Sequence, residues 1–555
     1  MKTLIIGGVA GGASAAARLR RLKEDETIII AERGEYVSFA NCGLPYYIGG
    51  VITDRERLTL QTPQSFKERF NVEVRVRTEA VQILPEAKMA VLKDLATGDI
   101  YNESYDNLIL SPGARPVKSN IEGVEADGVF TLRNIPDTLK IKEFINQRKP
   151  RDGVVVGGGY IGLEMAENLK HAGMNVTVVE LSEHLIPSFD YDMAAGIHRY
   201  IKAQGINLCL NNGLKAIKEG RVILQNGELK ADMVILSAGV RPDTQFLRGA
   251  VPLNERDGII TDSHMRTDIP NIYAVGDAAE IRNFVSGRPA LIPLAGPANR
   301  QGRIAADNIA GIPSEYKGSQ GSAVLKLFDM TAAATGLNER EAAQSGLDYD
   351  KTYIYSAPHA SYYPGGRNMS IKALWDKKTY KLLGAQLVGF DGVDKRADVL
   401  AAAIRLGAKI TDLAGLELCY APPFGSAKDP VNMLGFIAEN VITQRVKQFF
   451  WHDVEKLPRD GSVILLDVRT PLEASRGMIK GFKNIPLDSL RERINELPKG
   501  KRVYVHCHSG LRSYIACRIL AGRGYDCYNL AGGWQLYESA VNERTAPEYI
   551  CTQCR

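Results

Sequence analysis

Cysteine is scarce in this chain, with eight residues scattered over 555 positions. Such a low density excludes the disulfide framework of a small secreted protein and favours free or catalytic thiols in a reducing compartment. Histidine is equally rare, and the eight histidines show no metal-ligand spacing, so we expect no metal site.

Long apolar runs and Lys/Arg-rich stretches are also missing. The chain opens with one lysine, a short apolar strand and glycines, which fits neither a secretory signal nor a bilayer span. A net charge of +5 is mild for this length and gives no sign of a nucleic-acid surface. We expect a soluble, cytoplasmic protein that binds small anionic ligands, with no nucleic acid or membrane partner.

The length predicts about three to five domains, because one hydrophobic core cannot serve 555 residues. Two stretches predict βαβ nucleotide-binding units. The first has a strand at 3–7, a glycine turn at 8–12, a helix at 13–22 and a strand at 27–32. The second has a strand and glycine turn at 153–162, a helix to Ala172 and a strand at 175–180. Two such units imply two dinucleotides.

The glycines of these turns let the backbone approach a pyrophosphate at the helix N-terminus. Gly157, Gly159 and Gly162 match the fingerprint in full. In the first unit Gly7 and Gly12 match, but Val9 takes the middle position, so Gly8, Gly11 or a displaced loop must admit the phosphates. One fingerprint alone equally describes an ordinary tight turn; the pair favours nucleotide binding.

An acidic residue closes each second strand, Glu32 and Glu180, where a carboxylate accepts hydrogen bonds from a ribose. Glu180 favours NADH over NADPH, because a 2′-phosphate would meet like charge; NADPH stays possible. Asp277 ends a Val-Gly-Asp segment before a predicted helix. It either holds the polyol part of a flavin or caps that helix.

Two separated cysteines have the surroundings of reactive thiols. Cys42 lies in the segment 38–47 with no second cysteine nearby, although a reductase with an internal disulfide needs two. Cys507 lies between a strand and a helix start, in a loop whose backbone N–H groups form an anion cradle. With Arg512, this cradle is expected to lower the pKa of the Cys507 thiol. Together the two sulfurs indicate sulfur transfer coupled to reduction.

Nearly the whole chain resembles the two-dinucleotide disulfide reductase superfamily, and within it the coenzyme A disulfide reductases and NADH-dependent persulfide reductases that carry a C-terminal rhodanese domain. The segment 38–46 resembles their single-cysteine motif, and 271–278 their second FAD motif. The segments 110–114 and 236–242 resemble their crossings between FAD and NAD domains. The resemblance implies FAD, NADH, and coenzyme A as bound substrate or mixed disulfide.

The implied architecture is α/β, with two Rossmann-like dinucleotide-binding domains, an α+β dimerisation domain and a C-terminal α/β rhodanese domain. The expected boundaries are FAD-binding 1–115 and 241–320, NAD-binding 116–240, dimerisation 321–441, linker 442–454, rhodanese-like 455–547 and tail 548–555. A homodimer with shared active sites follows from the resemblance.

The resemblance also assigns binding residues. Those expected at the cofactors are Gly7, Gly8, Gly11, Gly12, Glu32, Arg33, Asp277, Ala295, Gly157, Gly159, Tyr160, Ile161, Gly162, Glu180 and Gly239. Those expected at coenzyme A are Ser14, Arg18, Arg21, Ser38, Asn41, Arg69, Asn299 and Lys428. Arg18 and Arg21, three apart on one helix face, suit phosphates. Each arginine alone is better explained as a solvated surface charge, and only the set together with the resemblance favours a ligand.

Two tyrosines replace the usual acid-base pair of the family at the dimer interface. The resemblance assigns Tyr362 and Tyr420, with Tyr363 as the alternative to the first. Their phenols can donate a proton to a thiolate leaving Cys42 of the other subunit. Ordinary interface aromatics are the competing explanation.

The last hundred residues resemble rhodanese at 467–469, 477–486 and 529–534. Met478 replaces a common histidine, which affects packing more than chemistry. The alternatives are a Cys-Arg phosphatase, whose cradle is one residue longer, and an inert binding module. Cys209, Cys517 and Cys527 are expected in cores, and Cys419 is uncertain beside Tyr420. Cys551 and Cys554 form an uncommitted tail, a mobile redox pair or a metal site.

We therefore expect an FAD-dependent NAD(P)H:sulfur oxidoreductase. Cys42 attacks coenzyme A persulfide, polysulfide or coenzyme A disulfide, and Cys507 with Arg512 transfers sulfane sulfur. One alternative makes Cys42 a sulfenate that reduces peroxide or oxygen, as in related NADH oxidases and peroxidases. Another makes Cys507 a sulfane-sulfur sensor.

Overall fold

The computed structural model describes residues 1–118 and 121–545. Within them the chain forms two units. The first comprises 1–182 and 205–321, and the second comprises 183–204 and 322–545. No helix of the described residues combines the length and apolar character needed to cross a membrane.

A five-stranded parallel sheet forms the centre of the first nucleotide-binding region. Its strands lie in the order Ile272–Ala274, Asn107–Leu110, Lys2–Ile6, Thr27–Ala31 and Glu73–Arg75. In the central strands Lys2–Ile6 and Thr27–Ala31, four successive residues are buried, as expected for parallel strands covered on both faces. Helices Ala10–Leu22 and Ala295–Ile309 pack closely, because a Cβ at Gly302 would lie 2.3 Å from the Gly11 carbonyl oxygen.

A second parallel sheet follows the same plan. Its strands lie in the order Ile206–Cys209, Asn175–Val179, Asp152–Val156, Met233–Leu236 and Val129–Phe130, with helices Ile135–Arg148 and Tyr160–His171. Smaller antiparallel elements are Thr78–Leu84 with Met89–Asp94 and Ile100–Ser104, Leu214–Lys218 with Arg221–Leu224 and Glu228–Lys230, and Ala114–Pro116 with Val240–Pro242. Short helices Leu44–Ile48 and Pro63–Phe70 complete the unit's described α-helices.

Two local predictions are wrong. The first helix begins at Ala10 rather than at residue 13, so Gly11 and Gly12 belong to its first turn. Asp277 precedes no helix: Ala279–Arg282 is a strand paired with Ile259–Ile260 and Pro289–Ala290. Asp277 is therefore not a helix cap, since sheet pairing overrides the local helical preference of Ala278–Glu280.

The second unit contains two five-stranded sheets. The antiparallel sheet has the order Ala323–Leu327, Met330–Gly336, Leu382–Gly389, Met369–Asp376 and Tyr349–Ser356, with helices Tyr191–Ala203, Glu339–Gln344, Val393–Arg405 and Pro430–Ile442. The parallel sheet has the order Lys447–Phe449, Cys527–Leu530, Val503–His506, Ile464–Asp467 and Lys483–Asn484, with helices Pro471–Ser475, Leu490–Arg493, Leu511–Ala521 and Gly533–Thr545.

The segment predicted as a linker, 442–454, is largely structured. Lys447–Phe449 pairs with Cys527–Leu530, and Trp451 and Val454 are buried. Phe449, like Trp451 and Val454, is a buried apolar residue within this otherwise polar segment, so the rhodanese-like sheet begins earlier than 455.

A buried lysine holds three carboxylates together in the second unit. Lys372 is fully buried, and its Nζ lies 2.8 Å from Asp190, 2.9 Å from Asp192 and 2.5 Å from Glu339. Burial alone lowers the pKa of Lys372, but the facing carboxylates outweigh it and hold that pKa well above its usual range. Asp192 also accepts a hydrogen bond of 3.2 Å from the indole of Trp451, so the network reaches the start of the parallel sheet.

Replacing Lys372 with Met should destabilise the second unit by about 3–5 kcal/mol, because the buried Asp192 and the partly buried Asp190 and Glu339 lose the cation that they share. The three tryptophans, Trp375, Trp451 and Trp534, all lie in this unit, so their fluorescence during urea unfolding reports on it. Lys377→Met, which removes an exposed ion pair to Asp348, should lower the free energy of unfolding by less than about 1 kcal/mol, so its urea midpoint should stay close to that of the wild type. Equal midpoints for the two variants would contradict the role of Lys372.

Candidate active site

Cys42 lies in a tight segment attached to the first glycine turn. A 3-10 helix, Asn41–Gly43, carries the cysteine, and helix Leu44–Ile48 follows directly. The backbone N–H of Ser38 donates to the Gly8 carbonyl at 2.9 Å, and Ser38 adopts a left-handed φ of 47°. This bend ties the Cys42 segment to the turn. Two predicted substrate residues lie in this segment, Ser38 at the bend and Asn41 directly before Cys42.

The thiol of Cys42 sits among opposing charges. Cys42 is exposed, yet partial burial raises its thiol pKa, and the carboxylates of Glu164 and Asp277 raise it further, while Arg133 lowers it. The Arg133 guanidinium donates to Asp277 at 2.9 Å, so Asp277 has a protein partner near the thiol.

Glu164 is a site residue that the sequence interpretation missed. It lies half-buried on helix Tyr160–His171, and the Tyr46 hydroxyl donates to it at 3.3 Å. Burial raises the pKa of Glu164 to about 7, with a further contribution from Glu167. A carboxyl group that titrates near neutrality can hold or release a proton beside Cys42. Its position, two residues after Gly162, is the signal that could have found it.

Each of the two acids predicted to bind a ribose accepts a backbone hydrogen bond from its own glycine turn. Glu32 accepts the N–H of Gly8 at 2.8 Å, and Glu180 accepts the N–H of Gly158 at 2.7 Å. A second backbone N–H reaches each carboxylate, from Gly34 at 2.7 Å and from Ser182 at 2.8 Å. Carboxylate oxygens have further lone pairs, so each acid can still accept from a ribose hydroxyl.

The helix starts fit dinucleotide phosphates. Among the described residues, no side chain caps the N-terminus of helix Ala10–Leu22, Tyr160–His171 or Ala295–Ile309. Uncapped N–H groups and the helix dipole attract phosphate. At Gly159 an added Cβ would meet nothing within 4 Å, which leaves room for close approach. The chain thus offers suitable cradles for two dinucleotides.

The other residues predicted to bind a cofactor are distributed over loops and helix starts. Arg33 forms an ion pair of 2.7 Å with Asp243, and Gly239 has a φ of 101°. Ile161 is exposed in the first turn of its helix, which also contains Tyr160, and Ala295 begins helix Ala295–Ile309.

The predicted coenzyme A residues divide into paired and exposed groups. Ser14 donates to Asn299 at 2.5 Å, which brings two of them together. Arg18 forms an ion pair of 2.6 Å with Asp307, so its charge already has a partner. Arg21 and Arg69 are exposed, as is Lys428 in the second unit.

The structure joins the two predicted tyrosines by a hydrogen bond. The hydroxyls of Tyr362 and Tyr420 lie 2.9 Å apart, and both side chains are exposed. This hydrogen bond raises the pKa of Tyr420. Tyr363 instead packs its ring against His359, with centroids 5.3 Å apart, so the geometry favours Tyr362 as the partner.

The second thiol is held in a closed loop. Cys507 is 1% exposed, and its Sγ accepts hydrogen bonds from the Gly510 N–H at 3.1 Å and the Ser513 hydroxyl at 3.2 Å. The Trp534 N–H donates to the Cys507 carbonyl at 2.8 Å, so the closing motif folds back on the loop. Donors aimed at the sulfur stabilise a thiolate or a persulfide anion.

Arg512 does not lie alone at the end of this loop. Its guanidinium donates to both carboxylate oxygens of Glu473, at 2.7 and 2.6 Å. The pKa of Glu473 falls to about 2, chiefly because of these hydrogen bonds. The sequence predicts that Arg512 acts on the thiol. It gives no sign of Glu473, whose carboxylate neutralises the charge of Arg512. Met478 is exposed, so the missing histidine leaves no gap in the core.

The remaining cysteines separate by burial. Cys209, Cys517 and Cys527 are buried, as expected, and Cys419 is exposed. Cys551 and Cys554 lie outside the described residues.

Family models match most of the chain. The pyridine nucleotide-disulphide oxidoreductase model matches residues 1–302, its dimerisation domain matches 322–430, and the rhodanese-like domain matches 451–540. The chain belongs to the pyridine nucleotide-disulphide oxidoreductase family. It is an FAD-dependent oxidoreductase with a dimerisation domain and a rhodanese domain, and the expected fold class is confirmed.

Three known proteins are similar to this chain over most of its length. The coenzyme A disulfide reductase of Staphylococcus epidermidis is 37% identical over 441 residues, which are 79% of this chain and 100% of that protein. The structure of reduced Bacillus anthracis CoADR-RHD is 47% identical with a TM-score of 0.96, covering 98% of both chains. An NAD-dependent persulfide reductase from A. fulgidus is 35% identical with a TM-score of 0.90, covering 97% of this chain and 100% of that one.

Glu164→Gln should move the alkylation of Cys42 to lower pH. The neutral amide removes a negative charge that raises the pKa of the thiol, so more thiolate forms at a given pH. The measurement is the rate of iodoacetamide modification of the Cys42 peptide between pH 6 and pH 10. Glu143→Gln, which neutralises an exposed acid on helix Ile135–Arg148, should leave the profile in place. A profile unchanged by Glu164→Gln would show that its carboxylate does not act on Cys42.

Proposed function

We propose that this chain uses NADH to reduce a sulfur–sulfur bond of coenzyme A persulfide, coenzyme A disulfide or polysulfide at Cys42. The relatives named for coenzyme A disulfide and persulfide reduction support a substrate of the coenzyme A type. The dimerisation domain supports a homodimer.

The isolation of Cys42 carries the proposal. The next cysteine in the sequence is Cys209, which is buried in the core of the second parallel sheet. None of the described cysteines forms a disulfide. A cysteine without an internal partner needs an external thiol to complete a disulfide, and coenzyme A supplies one.

Each coenzyme A substrate would react with Cys42 to give the same mixed disulfide. Cys42 thiolate attacks the inner sulfur of coenzyme A persulfide, forms a mixed disulfide with coenzyme A and expels sulfide. With coenzyme A disulfide it forms the same mixed disulfide and expels coenzyme A thiolate. Two electrons and one proton then cleave the mixed disulfide to Cys42 thiolate and coenzyme A thiol. Both substrates therefore converge on one intermediate and differ only in the leaving group.

The cofactors would be held by the two glycine turns, with FAD on the Glu32 side and NADH on the Glu180 side. When bound, FAD supplies the electron pair that it receives from NADH. Glu180 favours NADH, because its carboxylate would repel a 2′-phosphate.

The tyrosine pair is assigned to proton transfer. We place Tyr362 and Tyr420 of a second copy beside Cys42, where a phenol donates a proton to the departing sulfur. Their mutual hydrogen bond fixes both hydroxyls in one place, and their exposure leaves them accessible to a second subunit.

Cys507 is assigned to sulfur transfer. Its hydrogen-bonded sulfur can accept sulfane sulfur and hold the resulting persulfide anion before a carrier thiol removes it. This role links the rhodanese domain to the persulfide and polysulfide substrates.

Anaerobic NADH oxidation with coenzyme A persulfide, coenzyme A disulfide, polysulfide and peroxide tests the proposal. The sulfur substrates should be reduced and peroxide should not. Faster reduction of peroxide would favour the oxidase and peroxidase alternative. The water-forming NADH oxidase from Lactobacillus brevis is a structural relative of that kind. Cys42→Ser should abolish turnover because no mixed disulfide forms. Cys507→Ser should slow only the sulfane-sulfur substrates.

Cys419→Ser provides a matched control, because Cys419 is another exposed cysteine. It should retain turnover. Loss of activity in Cys419→Ser with retention in Cys42→Ser would overturn the assignment.

Tyr420→Phe should lower kcat with coenzyme A disulfide by about 10²-fold, because the leaving thiolate loses its proton donor. Steady-state kinetics measures the effect. Tyr363→Phe serves as the control, since Tyr363 packs against His359 rather than joining the hydroxyl pair, and it should change kcat little. A larger effect of Tyr363→Phe would exchange the roles of the two tyrosines.

A further inference from the structure

The Cys507 loop carries little available positive charge. In the segment 507–512, Cys-His-Ser-Gly-Leu-Arg, Arg512 is the only lysine or arginine. Both terminal nitrogens of its guanidinium donate to Glu473, so the pair has a net charge near zero.

Glu473 is fixed in place independently of Arg512. It is the third residue of helix Pro471–Ser475, and its carboxylate accepts the Thr470 N–H and the Thr470 hydroxyl, both at 2.9 Å. Thr470 in turn caps the helix by accepting the Glu473 N–H at 3.2 Å. This reciprocal capping box holds the carboxylate where it meets Arg512.

Apolar side chains flank the ion pair. Leu472 and Leu511, the chain neighbours of Glu473 and Arg512, are 64% and 57% exposed. Ile515, one helical turn after Leu511, is exposed as well. The ion pair is therefore neutralised internally and has exposed apolar neighbours along the chain, which suits an organic carrier better than a small, strongly hydrated dianion.

We propose that Glu473 is a specificity-determining residue of the Cys507 site. By neutralising Arg512 it disfavours doubly charged sulfur oxyanions such as thiosulfate, and it favours organic persulfides as sulfur donors. This inference rests on the proposed sulfur-transfer role of Cys507.

An organic persulfide and thiosulfate would each transfer one sulfur atom to Cys507. Cys507 thiolate attacks the outer sulfur of an organic persulfide, the S–S bond breaks and the donor leaves as a thiolate. With thiosulfate the same attack on the outer sulfur releases sulfite. Each reaction leaves a persulfide on Cys507 without net oxidation, but the thiosulfate route brings two negative charges to the loop.

Glu473→Gln separates charge from structure. Glutamine can keep the capping box with Thr470, because an amide oxygen still accepts hydrogen bonds, while the negative charge is lost. We expect the rate of Cys507 loading from thiosulfate to rise about tenfold, equivalent to about 1.4 kcal/mol. A donor with one negative charge should gain only about the square root of that factor, about threefold, because Coulomb energy is proportional to charge.

The experiment measures sulfur loading of Cys507 by mass spectrometry in the full-length protein, with thiosulfate or pantetheine persulfide as donor. The thiosulfate rate of Glu473→Gln should also fall more steeply with salt than that of the wild type. Glu496→Gln is the matched control: this exposed acid pairs with Lys483 and Arg493 elsewhere in the domain, and its loss should leave the donor ratio unchanged. Glu473→Asp, which keeps the charge but is too short for the same two-point contact, should give an intermediate ratio if Glu473→Gln does not fold.

Equal acceleration of both donors, or no gain with thiosulfate, would overturn the role of Glu473 while leaving sulfur transfer at Cys507 intact. A wild-type protein that loads no sulfur from either donor would instead overturn the sulfur-transfer assignment, and this inference with it.

Discussion

The lack of a disulfide partner for Cys42 among the described residues constrains the chemistry that we propose for this thiol. Cys42 lies on a 3-10 turn beside the first glycine turn, Cys209 is buried in another sheet, and none of the described cysteines is bonded to Cys42, so we assign the partner role to a thiol from outside the chain. The charges around the thiol act on its pKa in opposite directions. Arg133 lowers it and so favours the thiolate, whereas Glu164 and Asp277 raise it. Burial raises the pKa of Glu164 to about 7, so the charge of this carboxyl group, one of several influences on the pKa of the Cys42 thiol, changes near neutral pH.

The two thiols follow different designs. Cys42 is exposed on a short turn, where a large substrate can reach it, whereas Cys507 is buried behind a loop that directs an N–H and a hydroxyl at its sulfur. An exposed thiol suits exchange with a bulky disulfide. An enclosed one suits the proposed storage of a single sulfur atom, because the two hydrogen bonds would stabilise a persulfide anion.

Much of the fold could be predicted because it depends on local patterns. Glycine turns, apolar runs and terminal acids identify the two nucleotide sheets, and the Cys507 loop follows a recognisable strand–loop–helix pattern. Contacts between distant residues could not be predicted from those patterns. Asp277 precedes a strand because Ile259–Ile260 pairs with the segment that follows it, and Arg18 is neutralised by Asp307, nearly three hundred residues away. Glu473 and Arg512 meet because the strands that precede them, Ile464–Asp467 and Val503–His506, are neighbours in the parallel sheet.

Mass spectrometry of the protein treated with coenzyme A disulfide in the absence of NADH tests the central claim most directly. The account predicts a single coenzyme A adduct on the Cys42 peptide, which disappears when NADH is added. An adduct on another cysteine, or a disulfide between Cys42 and a second cysteine of the chain, would contradict it.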